Sequence, residues 1–188
     1  MNIRIATVTA TIALTLSVMT FADDDQREAD LVRHAISLSG VTVGKALKMV
    51  EAQLAGIVYK YELEEADQGP VHEFDLVDLE RERKIKAMVD IKSGQLLSTE
   101  EAYDFGWFVK EDEDVVAARE LQASGFSLAE ALGALAPQND QVLLEAELEY
   151  KHGIRYFEFE LMGPDGELEW LVDVNTQQLI PTLSRGAE

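Results

Sequence analysis

The chain states one design twice. Gly40, Val41 and Thr42 are echoed by Gly125, Phe126 and Ser127, and Ala46-Leu47 by Ala131-Leu132. Glu62-Leu63-Glu64 returns as Glu147-Leu148-Glu149, in every case 85 positions later. After a loop that differs by two residues the echo continues at 83, where Phe74 matches Phe157, Val89-Asp90 matches Val172-Asp173, and Gln95-Leu96 matches Gln178-Leu179. A fixed internal period means that one supersecondary unit is built and then copied, which excludes most folds open to a chain of this length. A unit of roughly 75 residues has only a modest core of its own, so docking between the copies is expected.

Each copy opens with a helical stretch, residues 30–36 and 115–121, stopped by Gly40 or Gly125. A second helix starts at Thr42 or Ser127, residue types that cap a helix by accepting a backbone hydrogen bond. Ser127 and Glu130 have the spacing of a capping box. Val43, Leu47, Val50 and Leu54, like Leu128, Leu132 and Leu135, mark a single apolar helix face. Pro137 is expected to close the second version early.

The period then switches from 3.6 to 2. Ile57, Tyr59, Tyr61 and Leu63 alternate with Val58, Lys60, Glu62 and Glu64. Val142, Leu144, Ala146 and Leu148 alternate with Leu143, Glu145, Glu147 and Glu149. Such alternation predicts antiparallel strands with one covered face and one wet face. A second strand points Phe74 and Leu76, or Phe157 and Phe159, towards the core. A third does so with Ile85, Ala87 and Val89, or Leu168, Trp170 and Val172, before a short last strand, Leu96-Leu97 or Leu179-Ile180. The predicted class is α+β: two tandem two-layer units, each with one or two helices packed on one face of a 3–4-stranded antiparallel sheet.

Ahead of this lies Arg4, an uncharged and largely apolar run from Ile5 to Met19, then Thr20-Phe21-Ala22 before Asp23-Asp24-Asp25. This is the layout of a secretory signal peptide, with cleavage expected between Ala22 and Asp23. A membrane anchor takes about 20 apolar residues, whereas this run is short and diluted by Thr7, Thr9, Thr11 and Thr15. The expected organisation is a signal peptide at 1–22, a first repeat at 23–98, an aromatic connector at 99–110, a second repeat at 111–183 and a tail at 184–188. The connector holds Tyr103, Phe105, Trp107 and Phe108 and is expected to pack against the repeats. The expected destination is the bacterial periplasm or the exterior, with no stable membrane insertion after cleavage. No cysteine follows the apolar run, which excludes a bacterial lipoprotein, a disulfide framework and thiol chemistry.

The formal charge is −20, from 36 acidic and 16 basic residues. Such a surface repels nucleic acid and anionic lipid and favours cations and basic partners.

The strands carry a further pattern. Tyr59-Lys60-Tyr61-Glu62-Leu63-Glu64 is followed by Met88-Val89-Asp90-Ile91-Lys92-Ser93-Gly94-Gln95-Leu96-Leu97. Leu144-Glu145-Ala146-Glu147-Leu148-Glu149 is followed by Leu171-Val172-Asp173-Val174-Asn175-Thr176-Gln177-Gln178-Leu179-Ile180. Both resemble the PepSY domain, whose core is a "v-x-x-v-E-L-E" strand and a later "v-D-x-x-T-G-x-v-l" strand and turn, so the chain looks like two PepSY domains in tandem. Gln177 departs from the pattern by standing where the family, and Gly94 in the first copy, has glycine. If the position needs a positive φ, glutamine is strained there and the second turn is expected to differ in type. The resemblance implies an exported non-enzymatic module that binds a protein partner and inhibits or regulates a secreted or periplasmic peptidase. The alternative is a periplasmic sensory or ligand-binding module of an envelope signalling system, taking a cation or a basic peptide.

Candidate chemistry is sparse. His34, His72 and His152 fall in a helix, a strand and a turn with no metal-ligand spacing. No G-x-S-x-G and no glycine-rich phosphate cradle is present. Glu111-Asp112-Glu113-Asp114 lacks calcium-loop spacing and reads as acids at a helix start. The pairs Glu62/Glu64 and Glu147/Glu149 fall on the wet face, where solvated charge outranks acid–base work. Trp170, Tyr59 and Tyr61 are assigned to the core, and Tyr156 to the opposite register beside Glu158 and Glu160, where it joins an exposed patch if the outer sheet face meets a partner. No catalytic, cofactor-binding or metal site is expected, and no cofactor.

Overall fold

Two antiparallel meanders meet at their first strands. The computed structural model describes residues 30–34, 37, 40–67, 69–104, 112–136 and 141–180, with backbone alone for 98–104. Residues 30–34 are helical. The first copy continues with α1 (Val43–Gln53), β1 (Ile57–Ala66), β2 (Gly69–Asp78), β3 (Arg83–Asp90) and β4 (Leu96–Asp104). The second has α2 (Glu113–Ser124), α3 (Leu128–Leu135), β5 (Val142–Lys151), β6 (Ile154–Gly163), β7 (Gly166–Asp173) and β8 (Leu179–Ile180). The class is α+β. All eight strands form one sheet in the order β4-β3-β2-β1-β5-β6-β7-β8, with β1 antiparallel to β5.

Local signals set the helix ends. Asp112 caps α2 by accepting from the N–H groups of Asp114 and Val115, so the acidic run does what its place at a helix start suggests. Ser127 and Glu130 form the expected capping box on α3. Thr42 occupies the N-cap of α1 without a side-chain bond. Gly125 ends α2 in the left-handed conformation.

One core cluster joins all three helices to the inner sheet face. It holds Ala46, Leu47 and Val50 of α1, Val115, Ala118 and Leu121 of α2, and Leu128 and Ala131 of α3. Against them lie Tyr61, Phe74, Leu76, Ala146, Phe157, Phe159 and Leu161. Helix α2 belongs to the second copy, yet it packs on β1 and β2 of the first. Tyr59 donates a hydrogen bond to Asp114 across this contact, and Lys84 of β3 sits 2.7 Å from both Asp112 and Asp114. Reciprocally, Val32 in the leading helical segment clusters with Val142 and Met162 of the second half. The leading helices thus cross over, and each half completes the other's core.

Several expectations require correction. Both first hairpins turn over two residues, Ala66↔Gly69 and Lys151↔Ile154, so the spacing of 85 persists through the second strand. The structural counterpart of Phe74 is therefore Phe159, not Phe157. The missing two residues fall between the second and third strands, where residues 79–82 are answered by 164–165. Val58 and Leu143, assigned to the wet face, are buried, because each first strand carries a β-bulge at the next position, Tyr59 or Leu144. The last strand of the first copy runs nine residues, well beyond Leu97. Of the inward set on β7, Val172 is buried but Leu168 and Trp170 are 36% and 37% exposed, because among the described residues β8 pairs only with Leu171 and Val172.

The two late turns are of one type despite Gln177. Gly94 and Gln177 have φ of +70° and +58°, and each donates 2.8 Å to the aspartate carbonyl four residues earlier. The glutamine accepts the left-handed strain instead of changing the turn.

Candidate functional site

The face opposite the helices carries charge, and strand register arranges it in rows. Glu73, Glu62, Glu145, Glu160 and Glu169 stand side by side across β2, β1, β5, β6 and β7. Beside them run Lys86, Asp75, Lys60, Glu147 and Glu158 across β3, β2, β1, β5 and β6. Alternation delivers this: a polar residue every second position places all polar residues of a strand on one side. The N-terminus of α2 reaches the margin of this face, where Lys84 sits 2.7 Å from Asp112 and Asp114.

The two halves of the face differ in charge balance. In the first, Lys86 pairs with Glu73 and lies 3.9 Å from Asp75. Lys60 sits at the centre, 3.2 Å from Glu62, 3.1 Å from Glu145 and 3.6 Å from Glu147. Burial pulls the Lys60 ammonium down, but its bonds to Glu145 and Glu62 outweigh that and hold its pKa above the ordinary lysine value. In the second half Glu145, Glu147, Glu149, Glu158 and Glu160 line a shallow depression of about 230 Å³.

Burial raises the carboxyl pKa of Glu147, and Glu145 and Glu149 add to the rise while Lys60 opposes it. Burial again leads for Glu158 and Glu160, reinforced by Glu169 and Glu149 for the first and by Glu145 and Glu167 for the second. Like charges directly opposite one another across a sheet are destabilising. The face therefore holds electrostatic strain that an arriving cation would relieve.

Glu62, Glu73 and Asp75 bring carboxylate oxygens within 4.8 Å of one another. The Lys86 ammonium bonds Glu73 there and lies 3.9 Å from Asp75.

The structure scatters the histidines. His34 is exposed on the leading helical segment and His152 lies in the β5–β6 turn with φ of +55°. His72 is 1% exposed, with Nδ1 3.1 Å from the Tyr61 hydroxyl and Nε2 3.4 Å from the Val41 carbonyl. Burial pushes its pKa down to about 4, with the Val41 carbonyl opposing weakly. The ring is neutral at pH 7 and serves the core. Tyr59 and Tyr61 are buried as expected. Tyr156 does share the face of Glu158 and Glu160, but it is 8% exposed and not part of an open patch. It lies between the strand positions of Glu149 and Asp173. Ala22, Asp23, Glu111, Phe105, Trp107 and Phe108 lie outside the described residues.

Sequence reasoning placed the glutamates on the wet face but missed the transverse rows. Those depend on the β1–β5 pairing, which no local pattern announces.

No family model matches the chain. No curated protein matches it. Among solved structures, a candidate lipoprotein of Clostridium difficile 630 is similar at 12% identity with a TM-score of 0.42, over 75% of this chain and 91% of that one. Among the described residues, no helix is long and apolar enough to cross a membrane.

Proposed function

We propose that this is an exported, non-enzymatic protein of PepSY type that binds a protein partner through the charged face of its sheet, and by doing so restrains or regulates a secreted or periplasmic peptidase. The observation that carries the reading is the row of five glutamates spanning both halves: Lys86 and Lys60 pair with Glu73, Glu62 and Glu145, whereas among the described residues no lysine bridges Glu160 or Glu169. A surface whose own charges repel gains when basic side chains arrive, and it steers such partners from a distance. The doubled PepSY-like motif supplies the peptidase as partner class, and the signal-peptide layout supplies the compartment. In this reading the two copies act as one surface, because the central rows cross the β1–β5 seam.

Peptidase activity of a periplasmic extract, measured with and without the added full chain, tests the reading. The expected result is a change in activity that disappears when Glu147 and Glu158 are both replaced by lysine at unchanged melting temperature. Activity indifferent to the protein, or altered equally by the double variant, contradicts it.

A further inference from the structure

The two ends of the sheet are built differently, and among the described residues the difference leaves one edge open. At the first end β4 runs along β3 from Val89 to Arg83. At the second end β8 pairs only with Leu171 and Val172. In an antiparallel ladder alternate residues turn both N–H and C=O to the same neighbour. The Asp173 N–H bonds the Gln178 carbonyl on the outer side of β7, so Glu169 and Glu167 point their backbone groups the same way. Among the described residues nothing pairs with them.

The first copy shows what an occupied edge looks like. Counterparts of Leu168 and Trp170 there are Ile85 and Ala87, which are 3% and 0% exposed beside β4. On the second copy Leu168, Trp170 and Leu179 form an exposed apolar strip along the same line. Side chains on the other face set the sign of the visitor. Counterparts of Glu167 and Glu169 are Lys84 and Lys86, and register sets Lys86 against Glu100 of β4. The second edge inverts that polarity. A second copy of this chain pairing edge to edge would set glutamate against glutamate, which is unfavourable.

We propose that the outer edge of β7 from Glu167 to Trp170 accepts an extended segment of a partner polypeptide as an added antiparallel strand. That segment carries Lys or Arg opposite Glu167 and Glu169, and apolar side chains against Leu168 and Trp170. Main-chain bonds supply affinity in such strand addition and alternate side chains supply specificity. The inference rests on the reading that the protein binds a polypeptide, and adds where the first strand of that partner docks. Glu169 closes the transverse glutamate row, so edge and face are continuous.

The test uses the full chain and three short peptides: alternating lysine and valine, the same with prolines that forbid a strand, and alternating glutamate and valine. Amide hydrogen exchange is read at Glu167 and Glu169 by NMR. The lysine–valine peptide is expected to slow exchange at both amides by at least about tenfold, the proline version to leave them unchanged. Glu167→Lys with Glu169→Lys, a surface change, is expected to transfer the preference to the glutamate peptide. Equal effects from the proline peptide, or shifts confined to Glu147 and Glu158, overturn edge docking while leaving face binding standing. Amides already protected without peptide and freed by removing residues 181–188, or protected only at concentrations where the protein self-associates, overturn it as well.

Discussion

Tyr61 pairs across the β1–β5 seam with Ala146, its own counterpart 85 positions later. Antiparallel strands related by a two-fold axis must set one residue against its equivalent, so this pair marks the pseudo-symmetry axis of the molecule. The pair is unequal. Tyr61 packs its ring, tilted by 47°, 5.3 Å from Phe74, meets the His72 ring at Nδ1, and donates over 3.4 Å to the Leu143 carbonyl of β5. One large and one small residue at the axis solve the crowding that two large ones would create.

Replacing Tyr61 by Phe removes the hydroxyl and strips His72 of a buried hydrogen-bond partner. The expected loss is about 1–2 kcal/mol in urea unfolding, the usual cost of leaving a buried polar group unpaired. A variant as stable as the parent would show that the hydroxyl contributes nothing at the seam.

His72 stands where the second copy has Phe157, so His72→Phe writes one copy's solution into the other. The pH dependence carries the sign. The unfolded histidine titrates near 6.5 and the folded one near 4, so its share of stability is complete above pH 6.5 and is lost as pH falls towards 4. That loss is at most about 3 kcal/mol. Glu147, Glu158 and Glu160, with raised pKa values, act oppositely, since protonating them favours the folded state. The gap in stability between parent and His72→Phe should therefore move against the parent between pH 6.5 and 4. A gap constant with pH would mean that the ring is not held neutral.

Gln177 sits at φ +58° where Gly94 sits in the first copy. Gln177→Gly removes the left-handed penalty at a small entropic cost in the unfolded chain. We expect a gain of about 0.5–1 kcal/mol by thermal unfolding. A loss would show that the glutamine side chain makes a stabilising contact of its own.

Phe157 is fully buried between Phe126 and Phe159, at ring separations of 6.4 and 6.1 Å. Phe157→Ala should cost about 3–5 kcal/mol. Glu147→Gln should change stability little, and in the favourable direction, because it removes one charge from a repelling set. An indifferent Phe157→Ala or a costly Glu147→Gln would contradict the assignment of faces.

Much of this architecture is legible in the residues, and the misses have local causes. Alternation gave the faces of Tyr61, Phe74, Glu147 and Glu158, since period 2 is a direct image of the strand. It failed at Val58 and Leu143, where a bulge shifts the register. The signal was present as an apolar doublet, Val58-Tyr59 and Leu143-Leu144, at one position in both copies. Identity alone aligns Phe74 with Phe157 because it cannot place a two-residue gap, whereas hairpin register sets Phe74 with Phe159. The helix crossover and the β1–β5 seam join residues far apart in the chain, such as Tyr59 with Asp114 and Tyr61 with Ala146, and their energetics lie in tertiary packing that no window of sequence contains. Trp170 reads as core from its alternation but lies exposed because the cover it would need, a strand as long as β4, is replaced by the two residues of β8.

If the crossed helices and the continuous sheet make one body with one acidic face, the two copies cannot melt apart. Differential scanning calorimetry of the full chain should give a single transition whose van't Hoff and calorimetric enthalpies agree. Two resolved transitions, or a calorimetric enthalpy about twice the van't Hoff value, would mean that the copies unfold independently and that no shared surface spans them.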